Sequence, residues 1–302
     1  MDDIKEIINP VSSELEKFET ELKDLVKKYD NFLTDILVNF LFSSPKRVRP
    51  IFIFLFSKIL NIKNENVMKI ALASEIIHNA SLVHDDVIDN ELTRRNTETF
   101  YKEFGSKIAV LEGDMLLSIA LKILSETSLE ILKIYSNNIL KTINGEIEQC
   151  SISGVVPDIE TYLDKTFNKT GRIFLCGLES LFTLDSVNEN EKNALASFMN
   201  NYSLAFQIKN DIDNILYKNL SDINNGNYTL PVIYFCSKNS IKEFNTEQIN
   251  NFLNDKEIYV KMAYDKVLEY KNNAINKLNV FSESEYKKSL LELAECTLRS
   301  CC

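Results

Sequence analysis

Glycine (7) and proline (5) are scarce among the 302 residues, so the turns that an all-β or doubly wound fold requires are largely missing. An all-α chain is expected. Histidine is scarcer still. Glu75-x-x-His78 supplies one half of the paired motif of a di-iron bundle, but the other of the two histidines, His84, has Ser81 three residues before it, and the count excludes that centre. No two of the six cysteines stand at C-x-x-C spacing, which removes the usual zinc and dithiol redox sites and leaves reduced thiols.

Long hydrophobic runs are missing too. Ile51 to Phe56 lies between Arg49 and Lys58, far short of the ~20 residues of a membrane span, so it reads as a buried helix and no stable membrane insertion is expected. The opening residues, MDDIKEIINP, are acidic and lack the basic start and apolar core of a secretory signal; a cytoplasmic product is expected. Positive charge is outnumbered, 34 Lys and Arg against 44 Asp and Glu for a net −10. That argues against nucleic acid as a partner, since phosphate backbones select basic surfaces, but not against a small diphosphate gripped by local basic residues.

Hydrophobic residues make up 45% of the chain, enough for one large core. With no internal repeat, low-complexity tract or convincing linker, a single domain over residues 1–302 is expected.

Chemistry is concentrated in Glu75 to Arg95, EIIHNASLVHDDVIDNELTRR. On a helix Asp85 and Asp89 project from one face, with Asp86 about a quarter-circle away. Paired carboxylates suit Mg²⁺, which typically takes one or two of them together with waters and phosphate oxygens. The plain alternative is a solvated acidic helix end. Against it, Leu82 and Val83 precede the acids and Val87 and Ile88 interrupt them, and acids beside apolar residues need partners. A metal, or Arg94 and Arg95, would supply them, guanidinium groups matching phosphate oxygens bidentately. The stretch therefore implies a metal-bridged polyphosphate.

Other positions could serve the same chemistry. Lys46, Arg47 and Arg49 stand at a helix entrance, as a basic loop tip or as a phosphate clamp using helix N-terminal amides. His78 shares the face of Asp85. Lys169-Thr170-Gly171-Arg172 interrupts an otherwise apolar helix, and Gln207, Asn210, Asp211 and Asn214 share one face of a helix spanning 192–217.

With these residues in place, the chain resembles the trans-isoprenyl diphosphate synthases, or polyprenyl synthetases, over nearly its full length. Lys46-Arg47-Val48-Arg49-Pro50 matches the family's G-K-R-x-R-P element without its glycine, and Asp85-Asp86-Val87-Ile88-Asp89 matches its first D-D-x-x-D motif. Arg94-Arg95, Phe104-Gly105, Gly113-Asp114, Gly145-Glu146 with Gln149, Lys169-Thr170, Phe206-Gln207-Ile208 and Thr229-Leu230-Pro231 follow in family order. The resemblance implies an all-α isoprenoid-synthase-type bundle around a central cavity, long-chain in type, in a homodimer, with a heteromer as the alternative. It implies that Asp85 and Asp89, with Asp86 nearby, ligate Mg²⁺ on an allylic diphosphate. Arg94, Lys169, Thr170 and Gln207 would hold that substrate, and Lys46, Arg49, His78 and Arg95 isopentenyl diphosphate.

The family's second D-D-x-x-D is here Asn210-Asp211-Ile212-Asp213-Asn214, so Asn210 and Asp211 are what is left of its metal set. Ala80 and Ser81 lie five and four residues before Asp85, about 6 to 7.5 Å along the helix. In the family a large aromatic there stops growth early; two small residues imply a product of about C20 or longer. The rival readings are a non-catalytic subunit of a heteromeric synthase, favoured by the degenerate second motif, and a terpene cyclase of the same fold, disfavoured by the retained Lys46, Arg49 and His78.

Overall fold

The computed structural model describes residues 2–29, 33–43, 45–94, 97–151, 154–217, 223, 226–242 and 244–299. These residues are helical and loop-like apart from one short two-stranded ribbon, and no helix among them is long and apolar enough to cross a membrane. The chain packs as two compact units.

The first unit takes Met1–Tyr135, Cys176–Val187 and Ser284–Leu290. It opens with α1 (Asp2–Ile8), a 3₁₀ turn, α2 (Ser12–Lys27) and α3 (Thr34–Phe42). Apolar residues at helical spacing put Leu15, Phe18, Leu22 and Val26 into the core. Leu25, beside that stripe, is only half-buried, and Val26 takes the inner position.

Next come α4 (Val48–Ile59) and α5 (Asn66–Ile88). Ile51 to Phe56 is buried on every side, the condition for an all-apolar helix; each of its phenylalanines contributes about 1.5–3 kcal/mol by leaving water. The ribbon pairs β1 (Thr93–Arg94) with β2 (Thr97–Glu98), Thr93 opposite Glu98. It leads to α6 (Phe100–Ser125), broken at Gly105, where φ is +78°, a conformation open to glycine and strained for other residues. Packed against α5, α6 buries Glu112 at 3% exposure. No described residue hydrogen-bonds its Oε1, and burial pushes its carboxyl up to about 7.

The second unit takes Ser136–Leu175, Asn188–Glu283 and Leu291–Cys302. It holds most of α7 (Leu129–Ser151), then α8 (Ile159–Thr166), a π-helical turn (Phe167–Gly171), the start of α9 (Arg172–Leu181), α10 (Glu189–Tyr217), α11 (Leu230–Lys238) and α12 (Thr246–Lys277). The last helix, α13 (Glu285–Thr297), contributes its second half. Pro231 sits in the first turn of α11, where its missing N–H costs nothing. Asn245 and Gln248 form a capping box that starts α12. Phe235 anchors the aromatic core here, meeting Phe244, Phe252 and Tyr259 edge-on.

Candidate active site

In the first unit α5 continues past His84 to Ile88, so Asp85 and Asp86 belong to its final turn and Asp89 is its C-cap. The helix stops at Asn90, whose φ of +54° is the left-handed cap that asparagine tolerates, while the Glu91 amide donates to the Asp86 carbonyl at 2.9 Å. Asp85 and Asp89 are half-buried, one turn apart, and Asp85 pairs with no cation among the described residues.

Asp86 differs. It is 2% exposed, and Nε and Nη2 of Arg94 both donate to its Oδ1 at 2.6 Å. Burial holds its carboxyl above the usual carboxylate range, against the pull of Arg94. The arginine returns from β1, and the ribbon is tied back by Thr99, whose hydroxyl donates to the Glu91 carbonyl at 2.8 Å. Asp86, expected beside the metal, and Arg94, expected on the diphosphate, thus engage each other. Arg95 lies outside the described residues.

At the entrance of α4, Arg47 adopts φ +48°. Its guanidinium grips Glu19 through Nε at 2.7 Å and Nη2 at 2.9 Å, and Glu75 through Nη1 at 3.1 Å. Burial works against its charge, and Glu19 and Glu75 outweigh it, so its pKa is raised. Of the three basic residues, this one braces α2 and α5. Lys46 is exposed and Arg49 is 9% exposed.

His78 is half-buried, and the Ser81 hydroxyl donates to its carbonyl at 2.8 Å. Ala80 is 3% exposed. Behind Asp85, Nε2 of His84 lies 3.2 Å from the Val110 carbonyl and 3.4 Å from Oδ1 of Asp114. The ring fits because residue 113 is glycine: a Cβ there would lie 2.3 Å from Nε2.

In the second unit Lys169 and Thr170 sit on the π-turn, a local widening frequent at functional sites. The turn is braced from three directions. The Thr142 hydroxyl donates to the Asn168 carbonyl at 3.0 Å, and Arg172 donates through Nε to Oδ1 of Asn168 at 2.7 Å while lying over the Phe167 ring. Gly171 leaves room for that ring, which a Cβ would approach to 2.5 Å. Lys169 reaches Oε1 of Glu146 at 3.0 Å. The Thr170 hydroxyl donates to Oε1 of Gln207 at 3.1 Å, Nε2 of Gln207 to Oδ1 of Asp211 at 2.8 Å, and the Tyr162 hydroxyl to Oδ2 of Asp211 at 2.5 Å. Asn210 and Asn214 are half-buried. Asp213 turns away and pairs with Lys209 at 2.5 Å.

The polyprenyl synthetase family model matches residues 30–268. The chain belongs to the polyprenyl synthetase family. A prenyl transferase of Cyanidium caldarium is 30% identical over 310 residues, covering 95% of each chain. A short chain isoprenyl diphosphate synthase of Methanocaldococcus jannaschii is 32% identical over 232 residues, 73% of this chain and 71% of that protein. Among solved structures, heptaprenyl diphosphate synthase from Staphylococcus aureus superposes with a TM-score of 0.87 at 26% identity, over 95% of this chain and 97% of that one. The polyprenyl synthetase match runs through residues of both units.

A divalent metal of the kind such synthetases use fits the first unit. Asp85 and Asp89 give hard oxygens one turn apart, and Asp85 is uncommitted to any described cation. No group of three or more His, Cys, Asp or Glu side chains that could hold a metal occurs among the described residues, so a bound ion would draw its other ligands from substrate and water.

The sequence reading assigned no role to Tyr162, Thr142 or Arg172. Tyr162 stands two turns before Lys169, a spacing that places both toward one face and could have flagged it. Arg172 has Asn168 and Cys176 rather than acids four residues either side, the mark of a guanidinium recruited for another task.

Proposed function

We propose that this chain condenses isopentenyl diphosphate with an allylic diphosphate, forming a trans-polyprenyl diphosphate five carbons longer than its primer, with final products of about C20 or more given small residues one turn or so before Asp85. The observation that carries the reading is the division of labour in the first aspartate motif: Asp86 is taken by Arg94, while Asp85, one turn from Asp89 on the half-buried face, pairs with no described cation.

In this reading Asp85 and Asp89 would hold magnesium on the allylic diphosphate, where it would supply positive charge against the leaving pyrophosphate. Lys169, once it exchanges Glu146 for phosphate, adds a cation, and Gln207 and Thr170 orient the same group. Arg94 keeps Asp86 fixed and lends its remaining N–H donors to the diphosphate. Lys46, Arg49, His78 and Arg95 hold isopentenyl diphosphate. The allylic C–O bond breaks heterolytically, its electron pair leaving with pyrophosphate. The isopentenyl alkene forms the new C–C bond, and a proton lost to the departed pyrophosphate restores a double bond. Preorganised positive groups favour the first step because they meet charge that exists only as the bond breaks.

Residues 1–302 act as one functional domain in this scheme. A homodimer is supported by the apolar residues left exposed on α6, Val110 at 41%, Leu111 at 63% and Leu121 at 36%, since such faces mark contact surfaces.

The test is incubation of the purified chain with Mg²⁺, isopentenyl diphosphate and primers of increasing length, reading pyrophosphate release and product mass. Turnover is expected, and Asp85→Asn and Asp89→Asn each lower kcat by about 100-fold or more. A wild-type chain that binds primer yet releases no pyrophosphate refutes the reading. Turnover restored by a second protein would favour the non-catalytic subunit.

A further inference from the structure

In the segment Asn210 to Asn214, Asp211 is the one acid that remains at a position of the second D-D-x-x-D motif. Asp211 is 7% exposed. Both of its oxygens are engaged by neutral donors of the same unit, the Tyr162 phenol at 2.5 Å and the Gln207 amide at 2.8 Å. The flanking positions of the segment, Asn210 and Asn214, carry no charge, and Asp213 is paired with Lys209. No carboxylate of the segment is left uncommitted among the described residues.

The hydrogen bonds also have a direction. Tyrosine and threonine hydroxyls each have one hydrogen to give, and an amide has distinct donor and acceptor ends. Asp211 accepts only, so Gln207 must turn its nitrogen toward it, which leaves the Gln207 carbonyl to accept from Thr170. The chain Tyr162, Asp211, Gln207, Thr170 therefore sets both ends of the amide. One Gln207 N–H and the Thr170 lone pairs remain to meet a substrate. A side chain held at both ends loses less freedom when it binds.

We propose that Tyr162 and Asp211 are positioning residues that lock Gln207 and Thr170 for the diphosphate, and that Asp211 is not a metal ligand. The expectation of Asn210 and Asp211 as a weakened metal site is thereby replaced: the segment keeps an acid because a buried amide must be aimed, and metal binding rests on Asp85 and Asp89. The idea builds on the reading of the preceding subsection and requires no change in the reaction.

Because it concerns metal count as well as rate, it can be tested without turnover. Mn²⁺ bound in the presence of pyrophosphate is counted by electron paramagnetic resonance for the wild-type chain, Tyr162→Phe and Asp211→Asn, all full length. In parallel, KM is measured separately for the allylic and the isopentenyl substrates. The expected result is an unchanged Mn²⁺ count in both variants. KM for the allylic diphosphate rises about 3- to 10-fold while KM for isopentenyl diphosphate stays within about 2-fold. Combining the two substitutions should add little to either alone, since both break one chain of contacts. Loss of one Mn²⁺ in Asp211→Asn overturns the proposal, as does an unchanged allylic KM in Tyr162→Phe. A general loss of fold would raise both KM values and depress melting, and that pattern also counts against it. A wild-type chain that takes up no Mn²⁺ with pyrophosphate defeats the underlying functional reading instead, so the two failures are distinct.

Discussion

Replacing Glu112 with glutamine isolates the cost of one buried charge. The side chain is 3% exposed, its Oε1 finds no described donor, and burial alone moves its carboxyl from 4.5 to about 7. The folded state therefore binds this proton more tightly than the unfolded chain does. The stability that follows is fully present below pH 4.5 and is lost as pH rises through about 7. At about 1.36 kcal/mol per pH unit, the ionised form costs the fold about 3 kcal/mol at pH 8. Glutamine has no charge to lose. Glu112→Gln should then melt about 5 to 10 °C higher than wild type at pH 8, and the difference should shrink to about 2 °C or less at pH 5. Thermal unfolding followed by circular dichroism, at matched ionic strength, reads both values. An equal difference at the two pH values, or a variant less stable at pH 8, would show that the carboxylate is satisfied by something the reasoning omits.

Two further substitutions probe the first unit. Gly113→Ala forces a Cβ to 2.3 Å from Nε2 of His84; moving the ring or the helix should cost about 1–3 kcal/mol, visible as a lower melting temperature, with a rise in the Mn²⁺ dissociation constant because Asp85 follows His84 in α5. No loss on either measure would mean that His84 swings clear. Ala80→Phe places an aromatic ring about one turn below Asp85, and product mass should shift toward shorter chains with turnover retained. An unaltered product distribution would reject Ala80 as a length determinant.

The helices were legible because their apolar stripes repeat at the period of the backbone. Leu15, Phe18 and Leu22, at helical spacing, meet the core, and the apolar run Ile51 to Phe56 could only be buried. The Asp85 and Asp89 pair was legible for the same reason, since four residues return to one face. What periodicity does not encode is which groups meet across the chain. Arg94 reaches back eight residues to Asp86 through a ribbon, and Arg47 pairs with Glu19 and Glu75, each 28 residues distant. Asp211 was read as a metal ligand from its place in the degenerate second motif, which says nothing of what else its carboxylate meets. Its partner Tyr162 comes from another helix, 49 residues earlier. The π-turn was hidden because its own five residues do not show that the Thr142 hydroxyl, from α7, donates to the Asn168 carbonyl.

That widened turn from Phe167 to Gly171 behaves as a phase shifter. One surplus residue in a helix rotates everything after it by about 100° relative to a regular continuation, so Arg172 and Ile173 meet their neighbours in an orientation that a five-residue α-helical segment could not give. Removing one residue of the turn other than Lys169 or Thr170 would keep the helix while rotating Arg172 and Ile173 away from their present neighbours, a change in angle with almost no change in composition.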